Sequence, residues 1–209
     1  MSAQVLVFGG TFDPVHVGHV AVADQAAQSI HADEVWFMPS RIPPLHEAPV
    51  ADVNARLALL RAALEPYAHF RVSDDDLLRD GPSYTLDTMK LLRARHPQAS
   101  LSLLVGADAA RSIARWYHAD ELLAGERFVI VNRSGTPALD MHDAQRLGFA
   151  PSRTTLVAVE SPPVSASEVR RRVAAGESLA GLVAPEVAVL IDRMGLYRGD
   201  ARDMHNGGG

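Results

Sequence analysis

The opening of the chain limits its fold more than anything that follows. Residues 4–8 are almost purely apolar, Gly9 and Gly10 break the run, and apolar residues then recur as Val17, Val20, Ala23, Ala26, Ala27 and Ile30. A short apolar run ended by glycines predicts a buried strand and a tight turn, and the 3.6-residue recurrence predicts a helix. A strand apolar on both faces suits the interior of a parallel sheet covered on both sides.

The rest of the chain repeats this alternation. Residues 34–38 predict a second strand, closed by Pro39, and with Pro43, Pro44 and Pro49 the stretch 40–49 reads as a stiff, exposed loop. Helix resumes over 52–65. Apolar runs at 70–72, 101–105, 128–131 and 155–159 alternate with helical patterns at 86–95 and 108–114, the signature of right-handed βαβ units. Ser165 and Glu168 predict a capping box ahead of Val169 and Val173, with Gly176 to stop that helix and a last helix over 185–194. The expectation is an α/β fold: a doubly wound, Rossmann-like, mostly parallel sheet with helices on both faces and a small C-terminal helical part. One domain over residues 1–197 is expected, followed by a disordered tail over 198–209, which lacks large apolar groups.

Bulk properties exclude several functions. The net charge of −5 opposes broad binding to a nucleic-acid backbone or an anionic membrane, so an anionic ligand needs a local basic pocket. The absence of cysteine rules out disulfides, thiolate metal sites and cysteine nucleophiles. With no apolar membrane span and no leader pattern at the N-terminus, the reading is cytoplasmic. Homo-oligomer formation is left open.

The chemistry concentrates in Gly9-Gly10-Thr11-Phe12-Asp13-Pro14-Val15-His16-Val17-Gly18-His19, between the first strand and the first helix. Glycines admit backbone N–H groups close to an anion, a helix start adds its positive dipole end, and two imidazoles three residues apart can face one phosphate. Taken singly, a Gly-Gly turn and a histidine near a helix start are ordinary structural features. A metal site of Asp13, His16 and His19 matches usual ligand spacing poorly, and the Gly-x-Gly-x-x-Gly dinucleotide fingerprint is missing. Late in the chain, Val164-Ser165-Ala166-Ser167-Glu168-Val169-Arg170 offers a helix start with hydroxyls and an arginine, which suits a triphosphate. Arg171 and Arg172 read as solvated charges.

Together these two segments resemble the signature of the nucleotidyltransferase superfamily named for its His-x-Gly-His motif. Pro82-Ser83-Tyr84-Thr85, Gly106-Ala107-Asp108, Ala114-Arg115-Trp116-Tyr117 and Val131-Asn132-Arg133 follow in the order of its nicotinate mononucleotide adenylyltransferases, a resemblance that runs from Val5 to Tyr197. It implies ATP and nicotinate mononucleotide as substrates, with magnesium bridging the polyphosphate. It implies catalytic roles for His16, His19 and Arg170, and ATP contacts from Gly9, Gly10, Thr11, Phe12, Gly18, Gly106, Asp108, Ser165 and Ser167. Trp116 would stack on the pyridine ring while amides near Tyr117 and Thr85 hold its carboxylate, with Asp13, Arg41, His46 and Arg133 completing the acceptor site. Outside this context Trp116 and Tyr117 read as core packing and Asp108 as a helix cap.

One segment departs from the family pattern of Pro-Pro-His followed by Lys or Arg: this chain has Pro43-Pro44-Leu45-His46-Glu47. His46 or Arg41 would then supply the charge to the mononucleotide phosphate. Related alternatives are adenylyl transfer to nicotinamide mononucleotide or phosphopantetheine, and a nucleotide-binding regulator without turnover.

Overall fold

The computed structural model describes residues 2–45 and 47–199. Six strands, β1 (Gln4–Gly10), β2 (Glu34–Pro39), β3 (Phe70–Val72), β4 (Ser100–Gly106), β5 (Phe128–Arg133) and β6 (Thr154–Val159), form one sheet in the order β3-β2-β1-β4-β5-β6. Every pairing is parallel, so the expected mostly parallel sheet is wholly parallel among the described residues.

Period-two alternation along the strands sorts the apolar side chains into two layers. Leu6, Phe37, Val129 and Val131 face one core, covered by α1 (Val17–Ile30), α2 (Val53–Leu64), α7 (Ala166–Ala174) and α8 (Pro185–Arg193). Val7, Trp36, Leu103 and Ile130 face the other, covered by α3 (Thr85–Arg95), α4 (Ala107–Arg111), α5 (Ala119–Gly125) and α6 (Met141–Arg146). Because β4 returns beside β1 after the chain has wound out to β3, strand order reverses between them. A crevice opens there at the carboxyl ends of the strands, the place where open α/β sheets receive ligands.

Several boundaries differ from the sequence reading. The helix expected over 108–114 is α4 followed by a 3-10 turn, Ile113–Arg115. Helices α5 and α6, of seven and six residues, were not anticipated, since so few turns carry little periodicity. The capping box of α7 is half made: the Ser165 hydroxyl accepts from the Glu168 N–H at 3.2 Å, but the Glu168 carboxylate turns to Arg171 and Arg172. Gly176, at φ 67°, follows the end of that helix as expected. The 40–49 loop is largely exposed, yet Pro43 is buried. Residues 200–209 of the expected tail lie outside the described residues. Among the described residues no helix is long and apolar enough to cross a membrane.

The C-terminal part is tied to the front of the sheet by one buried carboxylate. Asp13, 5% exposed, accepts from the Val50 N–H at 2.7 Å through Oδ2, and from the Ala51 N–H at 3.1 Å and the Tyr197 hydroxyl at 2.8 Å through Oδ1. Burial, then the Asp13 charge, pushes the Tyr197 phenol well above its ordinary range, so it stays a donor. Tyr197→Phe removes a hydrogen bond to a buried charge, worth about 1.5–3 kcal/mol. In a domain of this size that lowers Tm by roughly 3–12 °C, a shift to be read by differential scanning calorimetry.

Candidate active site

The crevice between β1 and β4 deepens into a cavity of about 790 Å³. Its floor and one wall are the strand ends and the first loop, with Gly9, Gly10 and Thr11 from the β1 side and Gly106 and Asp108 from the β4 side. The opposite wall is aromatic: Trp116, Tyr117 and Tyr84, the last two stacked at 4.1 Å between ring centroids. Thr85 opens α3 beside them. The first N–H groups of a helix have no partner within it, so this turn offers donors to an anionic ligand. Ser40, Pro43, Pro44 and Leu45 form part of the rim.

Next to the glycine-rich wall the two remote motifs meet. His16 is the N-cap of α1, and its N–H donates to His19 Nδ1 at 3.3 Å, while the two rings stack at 3.6 Å. Gly18 permits the approach of the second motif: a Cβ there would stand 3.0 Å from Val164 Cγ1 and 3.1 Å from His16 Nδ1. Arg170, one turn into α7, donates to the Asp13 carbonyl at 2.6 Å and to Ser167 Oγ at 3.3 Å. Arg133 joins this cluster to the cavity through Asp108 at 3.4 Å. His16, His19, Arg133, Ser165, Ser167 and Arg170 are therefore gathered at one end of the cavity, although they do not line it.

Three of the expected contact residues have side chains engaged away from the cavity lining. The Asp13 carboxylate is occupied by Val50, Ala51 and Tyr197, which makes it an anchor rather than an acceptor contact. The Phe12 ring is buried among Phe8, Phe37 and His19, so that side chain belongs to the core. Arg41 is paired with Asp80 and the Arg79 carbonyl at the rim, outside the cavity lining. His46 lies outside the described residues.

Other residues at the site escaped the sequence reading. Asp76 is a buried carboxylate in the cavity wall that accepts from the Thr88 hydroxyl at 2.6 Å and from Arg79. Arg56 is buried on the inner face of α2 and donates to the Thr11 carbonyl at 2.6 Å and the Ser40 carbonyl at 2.8 Å. A signal for Arg56 was present: it shares the apolar face of its helix with Ala55, Leu59, Leu60 and Ala63, where a charge demands partners.

Burial, assisted by the charge of Arg133, holds the His16 imidazole down at about 4 against an ordinary 6.5. His19 is held well below 6.5 by burial, then by His16 and Arg133. Both rings are neutral at pH 7, and among the described residues His16 Nδ1 is a buried atom with no hydrogen-bond partner. The lowered values set the sign of the pH dependence. As pH falls below 6.5 the unfolded chain takes up protons that the native site refuses, so stability falls between about pH 6.5 and 4 through His16. The slope approaches about 1.4 kcal/mol per pH unit for one such site. In urea titrations across that window, His16→Gln is expected to flatten the acid limb relative to the parent chain; an unchanged slope would remove His16 from the account.

Residues 7–172 match the cytidylyltransferase-like family. A protein of Exiguobacterium sibiricum named "Probable nicotinate-nucleotide adenylyltransferase" is 36% identical over 196 residues, covering 93% of this chain and 98% of its own. A Bacillus cereus (strain AH187) protein of the same name is 35% identical over 195 residues, with coverage of 93% and 98%. Among solved structures, Plasmodium falciparum nicotinic acid mononucleotide adenylyltransferase complexed with NaAD superposes with a TM-score of 0.79 at 18% identity, over 93% of this chain and 97% of that one. Its complex with APC gives 0.77 at 19% identity, with the same coverage. Parallel sheet, switch-point crevice and near-full-length similarity agree, and the chain belongs to the nicotinate-nucleotide adenylyltransferases within the cytidylyltransferase-like family.

Proposed function

We propose that the chain transfers the adenylyl group of ATP to nicotinate mononucleotide, forming nicotinate adenine dinucleotide and pyrophosphate in NAD biosynthesis. The observation that carries this reading is a cavity at the strand-order switch point with a glycine-rich wall and an aromatic, helix-capped wall, beside which the basic cluster of His16, His19, Arg133 and Arg170 is assembled. On this reading ATP lies across Gly9, Gly10, Thr11 and Gly106, with Asp108 toward a ribose and Ser165, Ser167 and Arg170 toward the phosphates. The pyridine ring lies against Trp116, and its carboxylate meets the N–H groups near Thr85 and Tyr117. The cytoplasm, where both nucleotides circulate, is the compartment this implies.

The acceptor's 5′-phosphate oxygen attacks the α-phosphorus of ATP, and the bond from that phosphorus to the oxygen bridging to the β-phosphate breaks. A phosphomonoester loses its second proton near a pKa of about 6, so the attacking group needs no enzyme base at neutral pH. That fits two histidines whose lowered pKa values make them poor bases. Their task is donation: an arriving polyphosphate opposes the effects of burial and Arg133, and the N–H of each ring can face a phosphate oxygen. Arg170, held by the Asp13 carbonyl and Ser167, adds a fixed positive charge. Catalysis then rests on placement and charge stabilisation.

The donor set also bears on magnesium. Of the carboxylates lining the cavity, Asp76 is taken up by Thr88 and Arg79, and Asp108 is exposed beside Arg111 and Arg133. Among the described residues lining the cavity, Asp108 is the carboxylate that could help to hold such an ion, in competition with Arg111 and Arg133, the nucleotide phosphates and water supplying the rest, and the ion would lend neutralising charge to the polyphosphate.

A pyrophosphate-release assay with ATP and magnesium, run in parallel with nicotinate mononucleotide, nicotinamide mononucleotide and phosphopantetheine, tests the reading. Turnover is expected with the first in clear preference; ATP binding without pyrophosphate release for any acceptor would instead mark a regulator. His19→Asn keeps an acceptor for the His16 N–H but removes Nε2, and a loss of roughly a hundredfold in kcat, about 2.7 kcal/mol, is expected in a folded protein. Trp116→Ala is expected to raise the KM for nicotinate mononucleotide with little change for ATP; equal losses for both substrates would point to a general collapse of the cavity.

A further inference from the structure

We propose that Arg56 is a positioning residue for adenylyl transfer, whose guanidinium fixes the peptide between Thr11 and Phe12 so that the Phe12 N–H is presented to the nucleotide phosphates. The inference rests on the adenylyl-transfer reading of the cavity. Arg56 is 1% exposed within an otherwise apolar helix face. A buried charge is costly unless it is well partnered, and an apolar side chain of similar size would fill the same space more cheaply. The charges of Asp13 and Asp52 act on this guanidinium, but among the described residues no carboxylate hydrogen-bonds to it: it donates to two backbone carbonyls, Thr11 and Ser40, and its Nε has no partner.

Those two carbonyls belong to the loops that follow β1 and β2, and Thr11 and Ser40 both line the cavity. In a trans peptide the C=O and the next N–H point in opposite directions. Holding the Thr11 carbonyl toward α2 therefore turns the Phe12 N–H away from α2 and toward the crevice, and that N–H makes no hydrogen bond among the described residues. Phe12 itself sits at φ 48°, a left-handed conformation that a bulky residue keeps only when its surroundings impose it. Its ring, wedged against Phe8, Phe37 and Gly10, is one restraint, and the Arg56 fork on the preceding carbonyl is the other. The same logic applies at Ser40. With its carbonyl on Arg56, the following Arg41 N–H points outward to Ser83 Oγ at 2.8 Å, just ahead of α3. One guanidinium thereby sets the phosphate-side loop, the rim loop and the acceptor-side helix in mutual register.

Arg56→Met and Arg56→Lys in the full chain test this, with Tm, and with kcat and KM for both substrates by pyrophosphate release. Arg56→Met is expected to fold with a lowered Tm, since two backbone carbonyls lose a charged donor, and to lose roughly a hundredfold in kcat, because a misplacement of about 1 Å suffices for that, with the KM for ATP raised about tenfold and that for nicotinate mononucleotide moved by less than about threefold. Arg56→Lys keeps the charge but cannot span both carbonyls, and a loss of about tenfold or more in kcat is expected. A folded variant of either kind with kcat within about threefold of the parent overturns the proposal, as does a loss that merely follows the unfolded fraction. If Arg56→Met does not fold, Arg56→Lys decides. If the parent chain itself releases no pyrophosphate with any acceptor, the adenylyl-transfer reading is what fails. The Arg56 proposal is then judged by calorimetric binding of ATP, where Arg56→Lys is expected to weaken affinity about tenfold and an unchanged affinity refutes it.

Discussion

The buried carboxylate of Asp13 holds together pieces of chain that sequence keeps far apart. Its two oxygens take N–H groups from Val50 and Ala51, ahead of α2, and the hydroxyl of Tyr197, beyond α8, while its carbonyl receives Arg170 from α7. Losing any one of the three donors to its oxygens would leave a charge in a dry place without its full complement of partners. The glycine-rich loop that carries Asp13 is consequently a rigid edge of the cavity. The same residue seats both Arg170 and the C-terminal segment.

On that edge the electrostatics are arranged for an anion that arrives from outside. The chain is acidic overall, yet Arg133, Arg170 and two stacked imidazoles are gathered beside the glycine-rich wall of the cavity, with Arg56 buried behind. Keeping the imidazoles neutral limits the repulsion that two cationic rings would add beside the guanidinium groups. The price is a site that resists protonation, and acid stability is where that resistance is felt. At the other end the chemistry changes to flat rings and open helix N–H groups, suited to a heteroaromatic carboxylate rather than to a polyphosphate.

Much of this was legible in the residues. The apolar runs ended by glycine or proline marked the strands, because burial on both faces leaves no room for alternation, and the long helices α1, α2 and α3 followed from their spacing. Short helices α5 and α6 were illegible for want of turns, and the half-made capping box of α7 reflects competition: Glu168 gains two guanidinium partners in place of one backbone N–H. Among site residues, Gly9, Gly10, Thr11, Gly106, Asp108, Thr85, Trp116 and Tyr117 do converge on one cavity. Asp13 and Phe12 belong to the motif but serve it from beneath, a distinction that depends on which way a loop turns.

The sequence by itself determined the class of fold, through hydrophobic period and turn residues, and the family, through an ordered set of short motifs. Those are local properties, readable within a few residues. Tertiary structure alone decided which groups touch: that Gly18 is small so that Val164 can approach, that Tyr197 returns to Asp13, and that Arg56 spans two loops. Contacts between residues separated by tens to hundreds of positions depend on how the layers pack, and close packing is a property of the whole chain at once.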